Sequence, residues 1–406
     1  MSIDNIVLIG GGQASAVATR TLRRRGYEGV IVLVCEEPVR PYQRPPLSKE
    51  YLTQGDESGL FLLPQDWTDA QRIEVRTGVR ASKISAADGS VLLEDGTTLP
   101  ADRVLIATGG TPRRLHDAEG DRIVYLRTKS DADAVRSRLV PGTRLVVVGA
   151  GFVGAEIASS ALALGAEVTV LEAGAAPLQR VLGTRLGEAC AQMHRAAGVD
   201  LRLNFQVTGL EEDGDEVVVS SPEGRLVADL VVVGIGIVPN VDVAVSSGIS
   251  VDNGIVVDEH CRTSMPNVYA AGDVANHFHP LYGEHIRVEH FDNASKQASA
   301  AANNMIGRET AYADPHWFWS DQYGANLQFV GHTDVDAVEP ILRGAPGDDT
   351  WGAFFLDEQQ RLAAAFSVNG AEDIMVAREL IAAQVPVDQH VLADRTAPLM
   401  DLLEQM

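Results

Sequence analysis

Twice in this chain an apolar run enters a glycine turn, passes into a helix and returns as a second apolar run that ends on a carboxylate. Past Pro315 the composition changes. These observations predict an α/β fold of two Rossmann-like dinucleotide-binding domains followed by a C-terminal α+β domain with an antiparallel sheet. The expected boundaries are 1–112 with 242–314 for the first, discontinuous domain, 113–241 for the second and 315–406 for the third.

Size and composition narrow the function classes. A chain of 406 residues with 45% hydrophobic content suits a protein of two or three domains with a large core. It has no apolar run of about 18 residues, so no membrane span is expected. The start, Met1-Ser2-Ile3-Asp4-Asn5, lacks a basic region and leads directly into a strand, so no signal peptide is expected. Cys35, Cys190 and Cys261 are far apart and form no CxxC pair. That spacing argues against a disulfide framework, a zinc site and a dithiol redox centre, predicts no metal, and fits a reducing cytoplasm. A formal charge of −23 weighs against nucleic acid as a partner.

The first turn follows the buried-strand run Ile6-Val7-Leu8-Ile9 and reads Gly10-Gly11-Gly12-Gln13-Ala14-Ser15, with small Ser15 at the third glycine position. A helix runs to about Arg25, and the strand Val30-Ile31-Val32-Leu33-Val34 leads to Glu36, 26 positions after Gly10. The second turn follows Leu145-Val146-Val147-Val148 and reads Gly149-Ala150-Gly151-Phe152-Val153-Gly154. In it Gly149 permits the tight turn, Gly151 lets the backbone approach a pyrophosphate, and Gly154 lets helix and strand pack closely. Val168-Thr169-Val170-Leu171 then ends on Glu172, 23 positions after Gly149. A carboxylate about 20 residues on is placed to hold a ribose 2′-OH. One such unit is weak evidence. Two, each with its own acid, imply two nucleotides, most simply a flavin and a nicotinamide.

Between and beyond the turns the reading is more open. Arg40-Pro41-Tyr42-Gln43-Arg44-Pro45-Pro46-Leu47-Ser48-Lys49 is expected to be rigid and irregular. It is either a solvated surface loop or a stiff loop that sets Arg44 and Lys49 against an anionic cofactor. Residues 73–99 show a hairpin pattern with turns at Asp88-Gly89 and Asp95-Gly96. The strand Val104-Leu105-Ile106-Ala107 ends in Thr108-Gly109-Gly110, small residues that let backbone approach the first nucleotide. A helix over 184–197 and strands near 201–219, turning at Asp213-Gly214-Asp215, lead to Leu230-Val231-Val232-Val233-Gly234-Ile235-Gly236. That last Gly-x-Gly edge is expected beside the nicotinamide nucleotide.

Asn267 to Val274 ends a strand on Gly272-Asp273, ahead of a helix over 294–306. Asp273 either accepts from a sugar-alcohol chain at the sheet's C-terminal edge or caps a helix. After Pro315, His316 to Tyr323 is the one aromatic cluster, and apolar runs at 327–330, 338–342, 352–356 and 362–368 precede a helix over 371–383. This last quarter holds 15 acidic and 4 basic residues, close to half of the chain's net negative charge.

Taken together, Arg44-Pro45-Pro46-Leu47-Ser48-Lys49, Ala107-Thr108-Gly109, the Gly149–Glu156 turn, Asn267 to Val274, Glu289 to Ala294 and Phe318-Trp319-Ser320-Asp321-Gln322-Tyr323 resemble the oxygenase-coupled NADH–ferredoxin reductases. These are FAD flavoproteins of the glutathione-reductase structural class. The resemblance covers almost the whole chain. It implies FAD on the first turn (Gly10, Gly12, Ala14, Ser15) with Glu36, and further FAD contacts from Arg44, Lys49, Ala107, Thr108, Gly109, Asp273, His290, Phe291 and Trp319. Phe291 stands where a tryptophan is common in such proteins. NADH falls to Gly149, Gly151, Phe152, Val153, Gly154, Glu172, Gly234, Ile235 and Gly236.

The resemblance also implies that Lys49 pairs with Glu156 close to flavin N5; the pair is read either as a catalytic pair, Lys49 and Glu156, or as a buried ion pair that only joins two domains. The activity implied is hydride transfer from NADH to FAD, then single electrons to a 2Fe-2S ferredoxin that supplies a haem monooxygenase or a ring-hydroxylating dioxygenase. Glu172, followed by no arginine in Ala173-Gly174-Ala175-Ala176, favours NADH over NADPH. A cytoplasmic monomer or weak dimer is expected. Basic patches for a ferredoxin are sought at Arg20, Arg23, Arg24 and Arg25, which read equally as solvated helix residues, and at Arg113 and Arg114. The competing readings are an NADH-binding flavoprotein like apoptosis-inducing factor, or another NADH-dependent flavin reductase of the rubredoxin reductase type.

Overall fold

The computed structural model describes residues 3–85, 87–115 and 118–404. The first two residues of the N-terminal stretch read above lie outside that set. The chain forms two compact units: Met1–Gln43, Glu57–Thr111 and Val238–His316 make the first, and Arg44–Asp56, Pro112–Ile237 and Trp317–Met406 the second.

The first unit is built on a parallel five-stranded sheet in the order Val268–Ala270, Arg103–Ile106, Asn5–Ile9, Val30–Cys35, Ile73–Thr77. Both faces are covered, so the central strands read as continuous apolar runs. Alternation sends Ile6 and Leu8 to one face, against Ala14, Ala18 and Leu22 of the helix Gln13–Arg24 and Ala298 and Met305 of the helix Phe291–Met305. Val7 and Ile9 point to the other face, against Ile84, Val91 and Leu99 of the small antiparallel sheet and Val243 of the short helix Asp242–Ser246.

The second unit repeats the plan. Its parallel sheet runs Asp200–Arg202, Glu167–Leu171, Arg144–Val148, Leu230–Val233, Ile123–Val124. The helix Phe152–Ala163 follows the second glycine turn. Its C-terminal part is an antiparallel sheet ordered Trp317–Gln322, Ala325–Gly331, Leu362–Val368, Trp351–Leu356, Ile341–Arg343, with the helix Ala371–Ala383 after it. Leu182, Leu186 and Cys190 of the helix Gln179–Ala196 share one core with Leu327, Phe329, Trp351 and Phe366 of that sheet.

Several expectations are corrected. The proline-rich stretch is irregular from Arg40 to Arg44, apart from a single bridge at Tyr42, but forms a 3-10 turn over Pro45–Ser48 that leads into an α-helix over Glu50–Gln54. Proline's fixed φ suits the first helical positions, so the residues that argue for irregularity also start a helix. The helix expected at 294–306 begins at Phe291 and is capped by His290, whose ring Nδ1 accepts from the Asp292 N–H at 3.3 Å. Asp273 is therefore not its cap. It is followed instead by a hairpin, Ala275–His279 with Glu284–Arg287, that the sequence reading missed. The aromatic cluster itself forms a strand, Trp317–Gln322. Among the described residues no helix is long and apolar enough to cross a membrane.

Candidate functional site

Each glycine turn sits where its parallel sheet ends. In the first, Gly10 has φ of +125°, and a Cβ there would lie 2.1 Å from the Ala107 carbonyl oxygen. Only glycine fits. A Cβ on Gly12 would meet nothing within 4 Å, which leaves open space where a pyrophosphate is expected to approach. No side chain caps the helix that starts at Gln13, so its first N–H groups are open to an anion. Ser15 is fully buried at the third position, and its hydroxyl has no partner among the described residues.

The neighbours of this turn belong to the expected set. Thr108 Oγ donates to the Asn240 carbonyl at 2.7 Å and Asn240 N donates to that of Gly109 at 2.9 Å, which fixes the strand end that faces Gly10. Gly272, next to Asp273, takes φ of +83° and donates its N–H to Gln297 Oε1 at 2.7 Å. A Cβ on it would lie 3.4 Å from Ala14 Cβ and 3.5 Å from Ala294 Cβ, so Asp273 emerges where the two helices begin. His290 and Phe291 open the second of these helices. Glu36 is exposed and pairs with Arg80 at 3.4 Å, a partner that the sequence reading missed.

The second turn has the same geometry with a tighter third position. Gly149 has φ of +99° and would put a Cβ 2.5 Å from the Gly234 carbonyl oxygen. A Cβ on Gly154 would lie 2.0 Å from the Gly149 carbonyl oxygen. Gly151 is nearly open, with its nearest neighbour at 3.9 Å. Gly236 has φ of +95° and lies beside Arg113 and Arg180. Phe152 packs edge-on against Phe318 at 4.8 Å, and Val153 is exposed. Glu172 is used more fully than expected: one oxygen accepts from Ala150 N and the other from Gly174 N, both at 2.7 Å. The acid thus braces its own turn.

One helical turn beyond Gly151 lies Glu156, 5% exposed. Its Oε2 receives Lys49 Nζ at 2.7 Å and the Ser48 hydroxyl at 2.6 Å, and its Oε1 receives the Ser320 hydroxyl at 2.7 Å. Ser160, four residues on and so on the same helix face, donates to the Ser48 carbonyl at 2.7 Å. Burying a carboxylate is tolerable only with such a full set of donors. Ser48, Ser320 and Gln322 were missed by the sequence reading, although the alternation of the strand Trp317–Gln322 places Ser320 and Gln322 on one buried face. Trp319 stacks on Trp317 at 5.0 Å. Arg44 donates to the Arg127 carbonyl at 2.7 Å. Arg44, Lys49 and Trp319 belong to the second unit, whereas the other residues expected at the flavin belong to the first.

The basic patches are partly structural. Arg23 donates to the Gln71 and Tyr27 carbonyls, Arg20 to that of Leu62, and Arg114 pairs with Glu119. Arg24, Arg25 and Arg113 are exposed. The three thiols are buried, and burial pushes those of Cys35 and Cys190 up to about 12 and that of Cys261 higher still. They are poor sources of thiolate.

Residues 4–298 match the family model of the pyridine nucleotide-disulphide oxidoreductases, and residues 317–403 match that of the reductase C-terminal domain. The chain is 40% identical to the ferredoxin–NAD(+) reductase component of an anthranilate 1,2-dioxygenase system from Burkholderia cepacia, over 99% of this chain and 100% of that one. It is 36% identical to a putidaredoxin reductase from Pseudomonas putida, over 98% and 97%. Among solved structures it resembles the reductase in a covalent putidaredoxin reductase–putidaredoxin complex, with a TM-score of 0.94 and 36% identity over 99% of this chain and 98% of that one.

Proposed function

The chain belongs to the pyridine nucleotide-disulphide oxidoreductase family, in its branch of ferredoxin–NAD(+) reductases of oxygenase systems, and from that premise we propose that it uses FAD to pass electrons from NADH to a 2Fe-2S ferredoxin. That ferredoxin serves a haem monooxygenase or a ring-hydroxylating dioxygenase. The setting proposed is the cytoplasm, and the form a monomer or weak dimer. When bound, FAD accepts a hydride from NADH and releases electrons one at a time, chemistry that a one-electron acceptor requires.

The observation that carries this reading is the position of Glu156. The helix that begins at the second glycine turn bears, within its second turn, the carboxylate that holds Lys49. A nicotinamide on that turn and a flavin at Lys49 are then served by one rigid element. In this reading Gly10, Gly12, Ala14, Ser15 and Glu36 hold the FAD pyrophosphate and adenosine ribose. Ala107, Thr108, Gly109, Asp273, His290 and Phe291 line its remaining length, and Arg44 and Trp319 flank the flavin. Lys49 offers an ammonium to N5, where it offsets negative charge, and Glu156 holds that ammonium in place. The residues from Gly149 to Gly154, Glu172 and the Gly234-Ile235-Gly236 edge hold NADH. The domain roles follow: FAD on 1–112 with 242–314, NADH on 113–241, and the C-terminal part at the ferredoxin interface.

The test is direct. The purified protein should be yellow with a bound-flavin spectrum, and NADH should reduce cytochrome c rapidly only when a 2Fe-2S ferredoxin is added. A colourless protein that takes up no FAD, or a rate independent of ferredoxin, would contradict the proposal.

A further inference from the structure

Ser320 lies on the strand Trp317–Gln322, where alternation turns Ser320 and Gln322 inward and Asp321 outward. Its fully buried hydroxyl donates to Glu156 Oε1 at 2.7 Å and accepts from Gln322 Nε2 at 3.0 Å. With the Gln322 amide donating to the hydroxyl oxygen, the one hydroxyl proton is directed at the carboxylate. The other oxygen, Oε2, holds the Lys49 ammonium and the Ser48 hydroxyl.

We propose that Ser320 is a positioning residue for Lys49. The proposal rests on the reading that Lys49 acts on the bound flavin. The terminal torsion of a glutamate is broad, and a lysine has a flexible four-carbon stem. A carboxylate held only through Oε2 would be free to turn, and the ammonium would follow it. By fixing Oε1, Ser320 fixes the carboxylate plane and with it the place of Oε2 and of Lys49 Nζ. Ser48 cannot replace this contact, because it binds the same oxygen as Lys49. The strand that presents Trp319 thereby sets the lysine as well.

The experiment uses Ser320→Ala, Ser320→Thr, Lys49→Met and the double variant Ser320→Ala/Lys49→Met, each loaded with FAD. Three quantities are read: single-turnover reduction of the bound flavin at saturating NADH, the Kd for NADH, and the midpoint potential of the flavin. Ser320→Ala should slow reduction about tenfold and lower the potential, with the Kd unchanged. Ser320→Thr should restore both. In the Lys49→Met background Ser320→Ala should add nothing.

A wild-type rate and potential in Ser320→Ala beside a slow Lys49→Met would overturn the role of Ser320 and leave that of Lys49 standing. A wild-type rate in Lys49→Met would instead remove the reading on which the proposal rests. A further tenfold loss in the double variant would show Ser320 acting elsewhere and also contradict the proposal. Should Ser320→Ala not fold, Gln322→Met, which removes the amide that aims the hydroxyl, carries the test. A slowing of about threefold is then expected, and an unchanged rate overturns it.

Discussion

The two glycine turns share a sequence pattern and a backbone, but they are braced differently. Both first glycines are forced by a facing carbonyl, and both middle glycines leave open space. At the third position the first turn admits the side chain of Ser15, whereas the second has no room beside Gly154 for even a methyl group. The acids differ more. Glu36 reaches outward to Arg80, while Glu172 turns back and takes one backbone N–H of its glycine turn, that of Ala150, and one from Gly174 just after itself. A turn braced from within needs no ligand to hold its form. That suits a nucleotide that must enter and leave at each turnover, and the looser acid suits one that stays bound.

The largest expected effect tests the third position. Gly154→Ala would force a Cβ against the Gly149 backbone. It should cost about 3 kcal/mol of stability by chemical denaturation and weaken NADH binding about hundredfold by titration. Ser15→Gly should cost less than about 1 kcal/mol. Equal penalties at the two sites would break the contrast.

Acid should act on both units alike. Burial pushes His277 of the first unit and His194 of the second down to about 4. His194 Nδ1 also lies 2.6 Å from the Tyr323 hydroxyl. The unfolded chain takes up these protons from about pH 6.5 downward, while the folded chain resists until about pH 4. Stability is therefore lost as pH falls through that window, by about 2 kcal/mol per group at pH 5. Denaturation at pH 7 and pH 5 measures it, and a flat profile would exclude it.

The smallest effect concerns the acids. Glu172→Gln places an amide NH2 against a backbone donor and should cost about 1–2 kcal/mol. It should also narrow the preference for NADH over NADPH, read from flavin reduction with each nucleotide. Glu36→Gln should change stability by less than about 0.5 kcal/mol. If Glu172→Gln is as mild as Glu36→Gln, the inner brace has no energetic weight.

Much of this was legible in the sequence because it is local. Apolar runs marked the parallel strands, and the forced glycines marked the turns. The helix expected from 184 is continuous only after a break at Gly183, which has φ of +69°. Its first turn, which enters through left-handed Leu178, gave no periodic signal. The donors to Glu156 were not legible, because Ser48 and Ser320 lie 108 and 164 positions away. No local pattern reports such a meeting. The inward turn of Glu172 was missed for a related reason: spacing places a carboxylate at a strand end but does not choose its direction.

The central claim is that Lys49, held by Glu156, acts on the bound flavin. Stopped-flow reduction of FAD-loaded Lys49→Met by saturating NADH tests it most directly. The expected result is full FAD occupancy with reduction slowed about hundredfold. Reduction at the wild-type rate with FAD fully bound would contradict the claim and leave the pair as a structural ion pair within the second unit.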